Sequence, residues 1–156
     1  MRNKLALLTA AALVASVVVA GFAMSTSATP VTTLTVIEHA VSDHVTDVGK
    51  KGLGPGDLLT FRNPIYDSTD TNRVGKDQGS CIRVTKMLRH NKGSWECEWT
   101  TFLNNGASSI TVETPYYDTG LGVGAITGGT GTYDGASGSL DLSCTQTKCT
   151  FKFNLS

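Results

Sequence analysis

The chain has 156 residues, 40% of them hydrophobic, and its thirteen basic residues balance thirteen acidic ones. This length favours one domain, and the zero net charge, with no tract rich in lysine or arginine, argues against a nucleic-acid partner. Seventeen glycines, with frequent threonine and serine, indicate a turn-rich β protein rather than a helical one.

The first 28 residues have the pattern of a secretory signal peptide. A basic start, MRNK, precedes the apolar run LALLTAAALVASVVVAGFA, and small residues follow in MSTSATP. Cleavage is expected after Ala23 or Ala28, which leaves one secreted domain over residues 29–156. The apolar run is long for a signal, so an uncleaved single-span membrane anchor is the alternative. No basic flank follows the run, and this favours cleavage and secretion.

Short alternating segments separated by turn signals predict an all-β fold. The turn signals include HNKGS, NNGAS and GGTGTYDGASG, and no convincing amphipathic helix lies between them. Eight strands in a closed antiparallel barrel are predicted, with a two-sheet sandwich as the alternative. The predicted strands cover residues 33–39, 57–63, 80–88, 94–103, 109–114, 124–127, 138–143 and 149–154.

All four cysteines follow the signal-like segment, and an oxidising compartment favours disulfides. Cys144 and Cys149 continue the apolar faces of two consecutive strands across a hairpin loop, so they are predicted to pair. Cys81 and Cys97 lie near the open ends of another predicted hairpin, which favours the second pair. The cysteines and histidines have no metal-ligand spacing, so neither a metal site nor another cofactor is expected.

Two polar residues share the inward parity of predicted strands. Glu38 follows Val36, so its carboxyl should face the interior, where burial raises a carboxyl pKa and suits it to acid–base or polarising chemistry. Asn63 follows Phe61 in the same way, and its amide would donate to a ligand oxygen that gains charge. The alternatives are a glutamate held for structure and an asparagine that satisfies the turn backbone before a proline.

Aromatic residues on the same inward faces are candidates for a ligand-lining role. Trp95 and Trp99 share a face with Cys97, and Tyr116 precedes a glycine-rich loop at the rim of the predicted barrel. Together with Phe61 they would form an apolar pocket wall. The alternative is that the two tryptophans are ordinary core residues.

Two assignments concern the third predicted strand and the segment before it. Ile82 and Val84 form its more apolar side, so alternation does not say which way Cys81 points. Asp77, in the preceding glycine-flanked GKDQG segment, is assigned to a turn, with a catalytic role as the alternative.

Five segments of the chain stand in a distinctive order: VIEHA, GDLLTFRNPIYD, VGKDQGSC, YYDT and AITGGTGTYDGASG. Their order and spacing, over residues 34–155, resemble the allene oxide cyclase barrel family, to which dirigent proteins are structurally related. The secreted, four-cysteine form is similar to the small bacterial members. The resemblance implies an eight-stranded antiparallel barrel with a ligand-sized interior, assembled as a dimer or trimer.

The resemblance carries over only part of the family's site. In the plant cyclases a first-strand glutamate, matched by Glu38, polarises the unsaturated substrate. An asparagine two residues later helps hold a water against the epoxide oxygen, and Ala40 stands at that position here. Phe61 and Asn63 match the second-strand Phe-x-Asn, and Cys81 matches a cysteine of the cavity wall.

Dirigent proteins carry an acid where Asn63 stands and an arginine where Ser137 stands, so an acid and a base used in phenolic coupling are replaced. These departures predict a substrate different from that of the plant enzymes.

The first function class is a non-redox isomerase or cyclase that steers the stereoselective ring closure of a small apolar or unsaturated molecule. The others are a secreted small-molecule carrier without chemistry and a structural or interaction barrel.

Signal removal can be checked on the exported protein. Intact-mass spectrometry of protein from the culture medium should find a chain that begins at Met24 or Thr29. An intact N-terminus found only in the cytosol would contradict export.

Overall fold

The computed structural model describes residues 32–86 and 93–156, so the predicted signal peptide and residues 87–88 of the third predicted strand lie outside the described residues. Ten strand segments follow in order: β1 (Thr32–His39), β2 (Asp43–Thr46), β3 (Leu58–Phe61), β4 (Pro64–Tyr66), β5 (Arg73–Arg83), β6 (Ser94–Leu103), β7 (Ser108–Tyr117), β8 (Leu121–Thr130), β9 (Gly138–Cys144) and β10 (Lys148–Leu155). Short 3₁₀ turns cover Asn104–Gly106 and Gly131–Tyr133. The described ranges contain no helix of the length and apolarity that a membrane span requires.

The ten segments form one closed antiparallel sheet with eight strand positions. β1 and β2 are two parts of one position, because β1 pairs with β4 and β10 while β2 pairs with β3. β3 and β4 form the next position, because both pair with the same side of β5. Pairing of β5 with β6 closes the barrel. The predicted fold class, an eight-stranded antiparallel barrel, is confirmed.

Alternation of apolar and polar residues places the core inside the barrel. Phe151 and Phe153 of β10 and Leu140 and Leu142 of β9 are buried, while Lys152 between the two phenylalanines is exposed. These two strands therefore contribute every second side chain to the interior, as the period of a pleated strand requires.

The structure changes the assignment of the third predicted strand. β5 begins at Arg73, so the GKDQG segment is part of a strand and not a turn. Cys81 and Arg83 face inward, and Ile82, the most apolar residue of this stretch, is 57% exposed. Hydrophobicity is misleading here because the inner face of β5 carries small, polar and charged residues that lie against the tryptophans of β6.

A short strand that the sequence did not reveal lies beside the entrance to the barrel. β2 is exposed along its whole length and has one apolar residue, Val45, so it lacks the alternation that marks a half-buried strand. Among the described residues it pairs only with β3. Just before β2, the Ala40 N–H donates to the Thr147 carbonyl of the β9–β10 turn, so this turn lies near the unpaired side of the strand. The barrel wall is therefore interrupted at this end.

Both predicted disulfides form, and each joins directly opposed residues of one hairpin. Cys81 pairs with Cys97 across β5 and β6, and Cys144 pairs with Cys149 across β9 and β10. No cysteine of the chain is left as a free thiol. Two disulfides suit an oxidising compartment.

Close approach of β5 and β6 depends on Gly79, which lies opposite Trp99. A Cβ at position 79 would stand 2.3 Å from the Trp99 Cβ and 2.4 Å from the Glu98 carbonyl oxygen. Gly79→Ala should therefore lower the free energy of unfolding by about 1–3 kcal/mol. Urea unfolding followed by tryptophan fluorescence measures the change.

The matched control is Gly128→Ala, because a Cβ at position 128 of β8 would meet no atom within 4 Å. Equal stabilities of the two alanine variants would contradict the close β5–β6 approach.

Candidate functional site

A cavity of about 140 Å³ lies inside the interrupted end of the barrel. This volume is close to the roughly 150 Å³ of an engineered apolar cavity that holds benzene. Its wall combines carboxyl groups, aromatic rings and both disulfides: Glu38, Ala40, Asp43, Leu59, Phe61, Cys81, Cys97, Trp99, Tyr116, Leu142, Cys144, Thr145, Gln146, Cys149 and Phe151. Thr145 and Gln146 belong to the exposed β9–β10 turn and mark the entrance. The cavity can hold about one ring, and a larger ligand would extend through this entrance.

Glu38 brings a carboxyl group into the cavity wall from the middle of the sheet. It lies on β1 between Ile65 of β4 and Cys149 of β10, and only 5% of the residue is exposed. Burial is the main reason that its pKa is raised, and the nearby Asp43 adds to the effect. Hydrogen bonds from Asn63 and Asp77 act in the opposite direction. The inward orientation that strand parity predicts for Glu38 is therefore present.

Asn63 lies at the break between β3 and β4. Its side chain connects this break to the neighbouring one between β1 and β2. Its Oδ1 accepts hydrogen bonds from the backbone N–H groups of Val41, at 3.0 Å, and Ser42, at 2.8 Å, where β1 gives way to β2. Its Nδ2 donates to Glu38 Oε1 and to Asp43 Oδ1, both at 2.7 Å. The amide thus has both hydrogens and its oxygen engaged, and the residue lies behind the cavity wall.

Asp77 is a site residue that the sequence prediction missed. It lies on β5, is completely buried, and shares backbone hydrogen bonds with Asn63 in both directions. Its Oδ1 also accepts from the Asn63 N–H at 3.0 Å. The available signal was the parity of β5, because Asp77 is four residues from the inward-facing Cys81. The GKDQG composition, which is typical of turns, concealed this periodicity.

Glu38 and Asp77 form a coupled pair of buried carboxyl groups. Burial, followed by the charge of Glu38, raises the pKa of Asp77 to about 9. Asp77 Oδ2 is buried and accepts no hydrogen bond from a donor of the described residues. When the Asp77 carboxyl is protonated, it can donate a hydrogen bond to the Glu38 carboxylate. This hydrogen bond favours the charged form of Glu38. At neutral pH, Asp77 therefore holds its proton and Glu38 is the member of the pair that ionises first.

Aromatic rings form another part of the cavity wall. The Trp99 ring packs against Phe61, with 6.3 Å between ring centroids, and against Phe151, with 5.1 Å. Tyr116 is half-buried at the same cavity, and burial raises its pKa, with smaller contributions from Asp118, Glu38 and Asp43. The predicted lining residues Phe61, Trp99 and Tyr116 are thus brought together.

Trp95 lies outside this lining although it shares the inward face of β6. The Arg83 guanidinium is stacked over its ring, 5.0 Å from the centroid. Arg83 is itself buried and donates from Nη2 to Asp118 Oδ2 at 2.7 Å. The ring of Trp95 is therefore used to cover a buried ion pair beside the cavity.

The disulfides determine which chemistry the wall can offer. All four cysteines line the cavity, and because each is oxidised, Cys81 supplies no thiol at the position where the family resemblance places a cavity cysteine. In residues 32–86 and 93–156 no group of three or more potential metal ligands occurs. The reactive groups of the wall are thus carboxyl and phenol groups.

Comparisons with known proteins agree with this geometry. The allene oxide cyclase family model matches residues 33–155. A solved structure named pyocyanin demethylase is 27% identical, with a TM-score of 0.65, and the match covers 80% of this chain and 100% of that one. Two pterocarpan synthase dirigent proteins are 18% and 19% identical, each with a TM-score of 0.62. These matches cover 81% of this chain and 87% and 93% of theirs, and they support the barrel fold.

The protonated state of Asp77 predicts a pH-dependent stability. The folded protein holds a proton that an unfolded aspartate, with a pKa of 3.8, has released. The stability that this proton contributes should therefore be fully present below about pH 4 and be lost as pH rises toward the folded-state pKa of Asp77. Asp77→Asn should remove this proton-linked fall, so the two slopes of unfolding free energy against pH should differ by about 1.4 kcal/mol per pH unit.

Urea unfolding from about pH 5 to about pH 8 measures the two slopes over the range in which only the folded Asp77 holds its proton. Asn is a suitable replacement because its amide can donate to Glu38 and its oxygen can accept from the Asn63 N–H. Asp134→Asn, in an exposed turn, is the control for the loss of one carboxyl. Parallel wild-type and Asp77→Asn curves would show that Asp77 is ionised in the folded protein.

Proposed function

The chain belongs to the allene oxide cyclase family, and we propose that it binds a small apolar or unsaturated molecule in the barrel and catalyses its non-redox isomerisation or ring closure. The observation that carries this proposal is Glu38, a carboxyl group only 5% exposed in the wall of a mainly apolar cavity. A desolvated carboxylate is a stronger base than one in water, and the cavity can hold a ring against it.

Proton transfer through Glu38 needs no further reagent. The Glu38 carboxylate takes a proton from a carbon next to a carbonyl group, and the electron pair moves into the conjugated system. The carboxyl group then returns the proton to a different carbon, so the double bond shifts and no atom is oxidised or reduced. Asp77, which keeps its own proton, leaves Glu38 as the group that cycles between its two states.

Tyr116 is the donor for an oxygen that gains charge during this step. It lines the same cavity, and its raised pKa keeps the hydroxyl protonated at neutral pH. A protonated phenol beside a carboxylate base is the pairing used in ketosteroid isomerisation, where a tyrosine stabilises the enolate.

Asn63 acts in this proposal as a positioning residue. Both of its amide hydrogens are bound to Glu38 and Asp43, so neither is available to a ligand oxygen. Its hydrogen bond, at 2.7 Å, holds the Glu38 carboxyl in one orientation. We therefore assign the oxyanion-stabilising role that the sequence suggests for Asn63 to Tyr116.

The name of one relative supports a small-molecule ligand. Pyocyanin demethylase, at 27% identity, is named for an activity on one small molecule. A carrier without chemistry is the second candidate, favoured by the large apolar share of the cavity wall. Two statements remain predictions: that the secreted chain begins at residue 24 or 29, and that it assembles into a dimer or trimer.

The proton-transfer proposal can be tested with 3-cyclohexen-1-one, a one-ring unsaturated ketone. The wild-type protein should convert it to the conjugated 2-cyclohexen-1-one, which is followed by its stronger ultraviolet absorbance. Glu38→Gln keeps the size and the hydrogen-bonding oxygen but removes the base, so kcat/KM should fall at least about 100-fold. Tyr116→Phe should lower kcat by about tenfold or more.

Glu98→Gln is the matched control, because it makes the same change on the outer face of β6. Its rate should equal that of the wild type, and circular dichroism should show all variants folded. Wild-type turnover that survives in Glu38→Gln would contradict the proton-transfer role. Saturable binding without turnover would favour the carrier.

A further inference from the structure

Exposed apolar side chains are concentrated at one end of the barrel. Among the described residues, the large apolar side chains that are exposed all stand at or near the strand ends around the cavity entrance. Six of them, each between 43% and 73% exposed, form what we call the mouth face: Val41, Val45, Val48, Val84, Tyr117 and Leu121. Ile82 and Val123 are not counted in it, because each pairs across the sheet with an acidic residue of the outer wall. An exposed apolar patch of this kind marks an interaction surface.

The segments that carry the mouth face are joined to one another around the entrance. Backbone hydrogen bonds connect the β2–β3 loop to the end of β5, the start of β6 to the β7–β8 turn, that turn to β9, and the β9–β10 turn to β1. The bonds run from Gly56 N–H to the Arg83 carbonyl (2.9 Å), from Asp118 N–H to the Gly93 carbonyl (2.9 Å), from Cys144 N–H to the Gly120 carbonyl (2.6 Å) and from Ala40 N–H to the Thr147 carbonyl (3.0 Å). The mouth face is therefore one hydrogen-bonded rim and not a set of scattered loops.

The opposite end of the barrel has no comparable surface. The β6–β7 and β8–β9 connections lie there, over residues 104–107 and 131–137, and the part of them that the structure describes exposes no large apolar side chain. Exposure of apolar groups to water costs free energy, and here that cost is confined to the end at which the cavity opens. The asymmetry links the mouth face to the use of the cavity.

Lysines stand beside the apolar side chains of the mouth face. Lys50 and Lys51 follow Val48 in the β2–β3 loop, and both are exposed. Neither makes an ion pair with another described residue. Lys86, which is also exposed, comes two residues after Val84. The rim thus combines aliphatic side chains with ammonium groups that can reach an external anion.

The acidic residues of the rim offset this positive charge only in part. Arg83 and Asp118 neutralise each other in an ion pair. Asp43 is bound to the Asn63 amide, and Asp47 accepts a hydrogen bond at 2.7 Å from a backbone N–H of its own loop. Three lysines therefore face two aspartates, and both aspartates already have a hydrogen-bond donor.

From these observations we infer that the mouth face docks on the surface of an anionic lipid bilayer, with the cavity entrance turned toward the lipid. Exposed aliphatic side chains beside lysines are the composition of interfacial lipid-binding surfaces, and a tyrosine ring suits the headgroup level. Lysines near such a surface are attracted by the charge of anionic lipids. A small apolar ligand dissolved in the bilayer could then enter the cavity without crossing water. The inference goes beyond the proposed function and does not depend on the chemistry of Glu38.

The test is a sedimentation assay with the exported protein, from which the predicted signal peptide has been removed. The protein is mixed with sucrose-loaded vesicles of phosphatidylcholine alone, or of equal parts phosphatidylcholine and phosphatidylglycerol. Partition onto the anionic vesicles should be at least about tenfold stronger, and high salt should reduce the difference. A wild-type protein that sediments with neither kind of vesicle would overturn the inference.

Charge variants connect the docking to the lysines. Lys50→Gln and Lys51→Gln should each weaken partition onto the anionic vesicles about fivefold. Lys152→Gln makes the same change in the middle of β10, away from the rim, and should partition like the wild type. Equal losses in the rim variants and in Lys152→Gln would show that the attraction is not located at the mouth face.

Apolar variants test the other half of the surface. Val48→Ser and Leu121→Ser should each weaken partition onto the anionic vesicles about fivefold or more, because an aliphatic side chain no longer enters the lipid. Val123→Ser, on the outer wall, is the matched control and should have no effect. Unchanged partition in both rim variants would overturn the inference.

Two further measurements separate this inference from its alternatives. Size-exclusion chromatography of the same variants, with vesicles absent, identifies a contact between copies of the chain. If the rim variants form a smaller assembly and the wild type leaves the vesicles unbound, the mouth face joins copies of the protein and the inference fails. Glu38→Gln should partition like the wild type, so a loss of docking and a loss of isomerisation are distinct results.

Discussion

The hydrogen bonds of the Asn63 side chain are the interaction on which the site depends. A barrel wall that breaks at two neighbouring positions leaves backbone groups without ladder partners, and unmade buried hydrogen bonds cost about 1–3 kcal/mol each. One amide oxygen accepts from two N–H groups at the first break, and its two hydrogens bind acids on β1 and β2. Because Asn63 itself lies at the second break, a single side chain holds both interrupted strands and orients Glu38.

This arrangement has electrostatic consequences that extend beyond the wall. Glu38 and Asp77 are brought together at the Asn63 break, inside a sheet where neither carboxylate is solvated, so one proton stays on Asp77. A buried carboxyl pair costs stability as pH rises, and proteins retain such pairs most often where chemistry uses them. The stability cost and the proposed proton transfer thus have the same physical origin.

The positions that differ from the plant cyclase pattern lie in the wall of the cavity. Ala40 lines the cavity where the family places an asparagine, so the wall offers a methyl group in place of a second amide. Asp43, three residues further on, adds a carboxyl group to the same wall. The oxidised cysteines remove a thiol as well. The wall therefore offers neither an amide at position 40 nor a thiol at position 81, and on this basis we expect a substrate unlike that of the plant enzymes.

The sequence by itself determined the barrel, the two disulfides and the inward direction of Glu38, because strand parity and hairpin spacing are local properties of the chain. Only the tertiary structure decided that Asp77 lies beside Glu38, that Asp43 joins the cavity wall, and that Trp95 covers Arg83. Asp77 stands in a segment with the composition of a turn, and β2 has no apolar alternation, so neither carries a local signal. Their positions follow from cross-strand pairing between distant segments, and the pKa of Asp77 follows from a burial that no stretch of sequence encodes alone.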